Sequence, residues 1–268
     1  MLYILTVHFK DKWIDIQKRQ LERFISEPYK VYTRLGDGVK QGTTTVNYEK
    51  NKHKFDGAIP GAGHVSESFG KIIDYITKNE EIKSTDKILL LDSDAFPIVS
   101  ISDFMNEKLK EYPFIAVQEP MHEWDRNPLY IIPHYCFMMF KAKHILEDNL
   151  TDCLREIIVD KNSNWWYGIV QWLTERGYDY YPLTRSNKED LHELYYGIYN
   201  DMVYHHWAGS RNMITRPDRM RAQHSGEDVE DIAKENHEVS NQVFERVSSE
   251  TDIDNMMAYL KGEYEENN

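Results

Sequence analysis

Four consecutive apolar residues, Ile88-Leu89-Leu90-Leu91, closed at once by Asp92-Ser93-Asp94 and then Pro97, constrain this chain more than any other segment. A short continuous apolar run bounded by turn signals is the pattern of a strand covered on both faces, as in parallel α/β sheets. Pro97 bars a regular continuation of the strand. In open α/β sheets, ligands are held beyond the carboxyl ends of the strands. Two carboxylates converging there repel each other unless a cation sits between them. The functional reading of the segment is a divalent-metal site that holds a phosphorylated ligand. The plainer alternative is a solvated Asp-Ser-Asp turn.

The surrounding pattern agrees with an α/β sheet. Residues 2–7 read as a first strand. Asp11 can cap the helix after it, whose inner face carries Trp13, Ile14, Leu21, Phe24 and Ile25. Pro28 ends that helix, residues 29–33 read as a strand, and residues 40–62 read as a long loop. Val65, Phe69, Ile72, Ile73 and Ile76 keep helical spacing. Further strands are expected at 114–117 and 135–140, helices at about 142–157 and 164–176, and strands at 178–183 and around 199–205. Strands alternating with helices imply an α/β fold with a mixed, mostly parallel, Rossmann-like sheet flanked by helices.

Charge divides the chain. From residue 226 onward there are 13 acidic residues against Lys234, Arg246 and Lys261, a net of −10 out of the chain's −13. The domain reading follows: residues 1–225 form the α/β domain, and 226–268 form an acidic helical extension with a frayed tail. The nearly neutral body argues against nucleic-acid binding, which needs a basic face. No stretch approaches 18 apolar residues, so no membrane-spanning helix is expected. The first residues read as a strand rather than a signal peptide. Cys136 and Cys153 have no metal-ligand spacing and read as reduced thiols, so the expected location is cytoplasmic.

A second constellation stands about 110 residues after the carboxylates: Tyr204-His205-His206-Trp207-Ala208-Gly209-Ser210-Arg211. A Gly-Ser turn presents backbone N–H groups, and an arginine fork suits phosphate oxygens. Imidazole plus carboxylates is a ligand set suited to Mn²⁺. In this order, the strand, the Asp-x-Asp turn and the late His-x-x-Gly segment resemble the GT-A class of nucleotide-sugar glycosyltransferases. Residues 206–211 are similar to the His-x-x-Gly-x-x-Lys element of the glycogenin-like retaining enzymes. The chain departs from the family at three points. Asn212 stands where the family lysine would be, so Arg211 is assigned its phosphate role. The Asn-x-Gly element has no clear counterpart, Pro133-His134-Tyr135-Cys136 standing nearest. The Glu-Asp pair of many inverting members is missing, and residues 162–166 occupy that region.

The resemblance covers roughly residues 1–221 and implies a set of roles. Asp92, Asp94 and His206, rather than His205, would hold Mn²⁺ or Mg²⁺. Asp94 and Arg211 would carry the chemistry on a UDP-sugar donor. Thr6, Val7, His8, Tyr32, Arg34, Lys71, Ser93, Gly209, Ser210 and Arg211 would contact the nucleotide. His64, Glu119, His122, Glu123, Asp125, His134, Trp165 and Trp166 are candidates for the sugar or the acceptor, a glycan or other hydroxyl compound. Ser68 is a further candidate on the 64–76 helix. Two readings of other kinds compete. A haloacid-dehalogenase-type phosphatase also uses Asp-x-Asp, but on the first strand. A nucleotide-sugar-binding module without transfer activity has the same sequence features.

Overall fold

Ile88 to Leu91 are completely buried, as a strand covered on both faces requires. They belong to β4 (Lys87–Asp92), at the middle of a seven-stranded sheet. The structure is a computed structural model that describes residues 1–36, 46–61, 65–120, 131–152, 165–187, 195–206, 214, 216–250 and 253–261. The other strands of this sheet are β1 (Leu2–His8), β2 (Tyr29–Leu35), β3 (Gly57–Pro60), β6 (Phe114–Pro120), β7 (Ile131–Lys141) and β8 (Tyr180–Leu183). β5 (Ala95–Pro97), β9 (Gly197–Tyr199) and β10 (Val203–His205) belong to a smaller sheet.

The strand order is β3-β2-β1-β4-β7-β6-β8. β1 pairs in parallel with β2 and β4, β2 with β3, and β6 with β8; only β7 runs antiparallel to its neighbours. The sheet is therefore mixed and mostly parallel, flanked by helices. Helix α1 (Ile14–Phe24) follows β1, and α2 (Val65–Asn79) follows β3. Phe69, Ile72, Ile73 and Ile76 of α2 pack on Leu5, Val7, Ile88 and Leu90 in one core. Helices α3 (Ser102–Glu111) and α4 (Trp165–Glu175) are the next long helices among the described residues.

Several expectations are corrected. The 40–62 loop contains a helical turn, Tyr48–Asn51, and the edge strand β3. β3 ends on Pro60, which only an edge or a strand end tolerates. It starts on Gly57, where a Cβ would meet the Tyr32 ring at 2.7 Å. Asp11 does not cap α1; it lies in a 3-10 turn and accepts a hydrogen bond from the Asn51 amide at 3.0 Å. Of the expected 142–157 helix, residues 143–146 and 150–152 are helical with a break between them, and 153–157 lie outside the described residues.

The chain forms two compact units: residues 1–96 with 100–184, and residues 97–99 with 185–268. Residues 185–225 thus belong to the same compact unit as the acidic extension. In the second unit β9 and β10 form an antiparallel hairpin. Asn200 and Asp201 turn it with φ of 48° and 54°, the left-handed region that asparagine and aspartate tolerate. Ile98 N–H donates to the Met202 carbonyl at 2.9 Å. Helices α5 (Arg216–Ser225), α6 (Val229–Ser249) and α7 (Ile253–Lys261) belong to the same unit. Asp228 caps α6 by accepting from Glu230 N–H. Tyr195 donates to Asn236, and the Tyr196 hydroxyl donates to the Leu260 carbonyl at 2.5 Å. The acidic extension is therefore built into this unit, where a surface helix with a frayed tail was expected. Residues 262–268 lie outside the described residues.

Candidate functional site

β4 brings Asp92 to the carboxyl end of the sheet, in register with Val7 of β1. Ser93 and Asp94 form the turn that follows, and all three side chains are half-buried. The turn is held by a residue that the sequence reading passed over. Gln17 of α1, almost fully buried, donates from Nε2 to the Asp92 carbonyl at 2.7 Å and the Ala95 carbonyl at 2.8 Å. Its Oε1 accepts from the Thr6 hydroxyl at 3.2 Å. The available signal was a polar residue inside the apolar stripe Trp13, Ile14, Leu21, Phe24.

Positive charge gathers at the same turn. Lys10 and Lys12 follow β1, half-buried, and both feel Asp94. Burial pushes both ammonium groups down, Lys12 to about 8 with Lys10 adding to the effect; Asp94 pulls each the other way. Neither lysine was singled out from the sequence.

Thr6, Val7 and His8, assigned to the nucleotide, are all buried. Thr6 is engaged with Gln17, and Val7 belongs to the main core. Burial holds the His8 imidazole neutral, down to about 3, against weaker upward pulls from Gln17 and Asp94. The sign of its pH effect follows. An unfolded chain binds a proton on this residue below about pH 6.5, and the folded chain does not until about 3. Stability contributed by neutral His8 is therefore present above pH 6.5 and lost as pH falls toward 3, on the order of 4 kcal/mol over the window. Denaturant unfolding of His8→Leu across that range should give a visibly shallower loss than the parent chain. Equal slopes would mean that other groups govern acid unfolding.

The other residues assigned on the first unit have these partners. Tyr32 packs between Tyr3 and Tyr75, and its hydroxyl donates to Glu80. Arg34, buried, donates to the Ser68 hydroxyl at 3.1 Å and pairs with Glu67 at 3.5 Å. Lys71 pairs with Glu67 as well, and with Arg34 it holds that carboxyl below its usual range. Both cations thus serve Glu67. His134 is buried at the β6–β7 bulge, stacks on Tyr135, and its Nδ1 accepts the Cys136 N–H at 3.0 Å, a structural role. His64, His122, Glu123, Asp125, Gly209, Ser210 and Arg211 lie outside the described residues, as do the side chains of Glu119, Trp165 and Trp166.

In the second unit β10 ends on His205, which is buried. His206 was the histidine expected to ligate. Both of its ring nitrogens are engaged: Nδ1 shares a hydrogen bond with the Tyr204 hydroxyl at 2.8 Å, and Nε2 one with Ser240 at 2.9 Å. Within the first unit, Asp92 and Asp94 present two carboxylates on one turn, oxygen ligands that suit Mn²⁺ or Mg²⁺ and include no thiolate for a softer metal.

A mixed, mostly parallel α/β sheet with an acidic turn at the carboxyl end of a central strand is the class that these observations define. No family model matches the chain, and no curated protein does. Solved structures similar to it include the apo-form glycosyltransferase GlyE of Streptococcus pneumoniae TIGR4, at TM-score 0.45 and 11% identity over 92% of this chain. The chain covers 64% of GlyE's length. A 4-diphosphocytidyl-2C-methyl-D-erythritol synthase is similar at TM-score 0.41 and 9% identity, over 68% of this chain and 89% of that one. A glycosyltransferase involved in glycosylation of the major capsid of PBCV-1 is similar at TM-score 0.39 and 13% identity, over 69% and 82%. At these values the likeness is one of coarse arrangement, and the chemistry rests on this chain's own residues. Among the described residues no helix is long and apolar enough to cross a membrane.

Proposed function

We propose that this chain is a metal-dependent glycosyltransferase that moves a hexose-type sugar from a UDP-sugar to an acceptor hydroxyl. The observation that carries the reading is the Asp92-Ser93-Asp94 turn, whose two carboxylates stand at and just after the end of the central strand β4. A cation held by these residues would neutralise charge on the departing diphosphate. Lys10 and Lys12 add positive charge beside Asp94, and Arg211 is assigned to the same phosphate oxygens. The late histidine that the resemblance implies is assigned to His205, because both ring nitrogens of His206 are engaged.

The test is a panel of nucleotide sugars assayed with Mn²⁺ or Mg²⁺ for release of nucleoside diphosphate. Release of UDP from one donor, abolished by chelator, is expected. No release above background from any donor, with UDP still bound tightly in the presence of metal, would leave a binding module and sink the transferase reading.

The ligand assignment has its own prediction. His205→Ala should weaken Mn²⁺ binding by roughly 100-fold, the scale of losing one ligand from a three-residue shell. His206→Ala should leave the affinity of folded protein within about twofold. It should lower stability instead, because Tyr204 and Ser240 each lose a buried partner. Metal titration of both variants, with thermal unfolding alongside, separates the two roles; the opposite pattern would restore His206 as ligand.

A further inference from the structure

We infer that Gln17 is a positioning residue whose side-chain amide sets the geometry of the Asp92-Ser93-Asp94 turn and, through it, the turn's affinity for a divalent cation. The inference deepens the metal reading above and rests on it.

The helix face that carries Gln17 is largely apolar: Trp13, Ile14, Leu21 and Phe24 are buried beside it, with Gln20 a second buried amide. Gln17 itself is 2% exposed. A primary amide in such a place costs stability unless its hydrogen-bonding capacity is used. Here both ends are engaged. Nε2 reaches the carbonyls of Asp92 at 2.7 Å, Ala95 at 2.8 Å and Ser93 at 3.4 Å. Carbonyl oxygens only accept, so the NH₂ end must face the turn. Thr6, on β1, donates to Oε1 and fixes that orientation. One side chain from α1 therefore holds Asp92 and the residues on either side of Asp94.

This matters because Asp92 and Asp94 repel each other while no cation is bound. A turn free to relax would swing its carboxylates apart and would have to be reordered on binding. A turn pinned at three carbonyls keeps its ligands near the binding geometry, and such outer-shell partners commonly contribute 10- to 100-fold in metal affinity. Gln17→Leu keeps similar bulk and removes the donors.

Two readouts test the inference. In metal-free protein, Gln17→Leu should speed amide hydrogen exchange at residues 92–96 about tenfold or more, while the amides of β2 stay protected; unchanged exchange at the turn would overturn the clamp. In Mn²⁺ titration, Gln17→Leu should bind about 10- to 100-fold more weakly. Thr6→Val should bind more weakly by a smaller factor, and the double variant no more weakly than Gln17→Leu. Parent-like affinity in Gln17→Leu would overturn the positioning role and leave the metal reading standing. Absence of Mn²⁺ binding in the parent chain would overturn the metal reading, and the exchange result would still decide whether Gln17 holds the turn. Ile73→Val, a core change on α2, should keep parent affinity; a matching loss there would assign the effect to general loosening and overturn the inference. Where Gln17→Leu does not fold, Gln17→Met and Thr6→Val give the same two readouts.

Discussion

Asp94→Ala is expected to remove Mn²⁺ binding and metal-dependent turnover while leaving the fold intact. The residue sits on the turn after β4, half-buried, and its substitution removes no apolar core atoms. What remains on the turn is one carboxylate, a poor shell for a hard divalent cation that prefers several oxygen ligands. A loss of at least about 100-fold in affinity corresponds to about 3 kcal/mol. The substitution also removes the anion that Lys10, Lys12 and His8 share, so all three should favour their neutral forms more strongly. With Lys12 already depressed to about 8, the variant should hold less positive charge beside the turn near neutral pH. The loss of metal and the loss of charge act in the same direction on a diphosphate ligand. Mn²⁺ titration and UDP-release assays on the purified variant check this. Near-normal turnover would sink the metal reading outright.

How much of this was legible in the residues differs by element. β4 and its acidic turn were readable because four consecutive apolar residues and two carboxylates leave few alternatives. The inner faces of α1 and α2 were readable from their spacing. β3 was not, since a four-residue edge strand containing glycine and proline has the composition of a loop. Gln17 was passed over because spacing rules weigh apolar residues and skip a polar one in their midst. The shift proposed from His206 to His205 has a simple cause. Side chains of neighbouring residues in extended chain point to opposite sides, so two adjacent histidines cannot be told apart without the register of the β9–β10 hairpin. Tyr32 and Arg34 were assigned to a ligand because they lie at or near the carboxyl end of a strand, and Lys71 because the resembled enzymes place a basic residue near the start of that helix. Their partners, Glu80 and Glu67, come from α2 and the residue just after it, a tertiary pairing that the sequence pattern does not encode.

The acidic extension is the clearest reversal, and it carries the last prediction. Composition alone suggests that residues after 226 can be removed, because most are charged or polar. In the structure they complete the second unit. Ile232, Val243, Val247, Met256 and Leu260 are all buried. Each such side chain contributes roughly 1.5–3 kcal/mol when fully buried, so the group supplies on the order of 10 kcal/mol, comparable to the entire stability of a typical domain. Two buried polar residues of α6 add to the dependence. Asn236 donates to Asp218 and accepts from Tyr195, and Ser240 meets His206. A chain ending at Gly226 would lose all of these contacts at once. It is expected to lose cooperative unfolding of the second unit, with residues 195–206 becoming open to protease and to rapid hydrogen exchange. The core that α2 forms on β1 and β4 draws only on the first unit, so exchange protection at residues 88–91 should persist. Limited proteolysis with mass mapping, read beside exchange rates in both units, decides the matter. Full protection of the β9–β10 hairpin in the truncated chain would show that α6 and α7 are additions to a unit already stable without them.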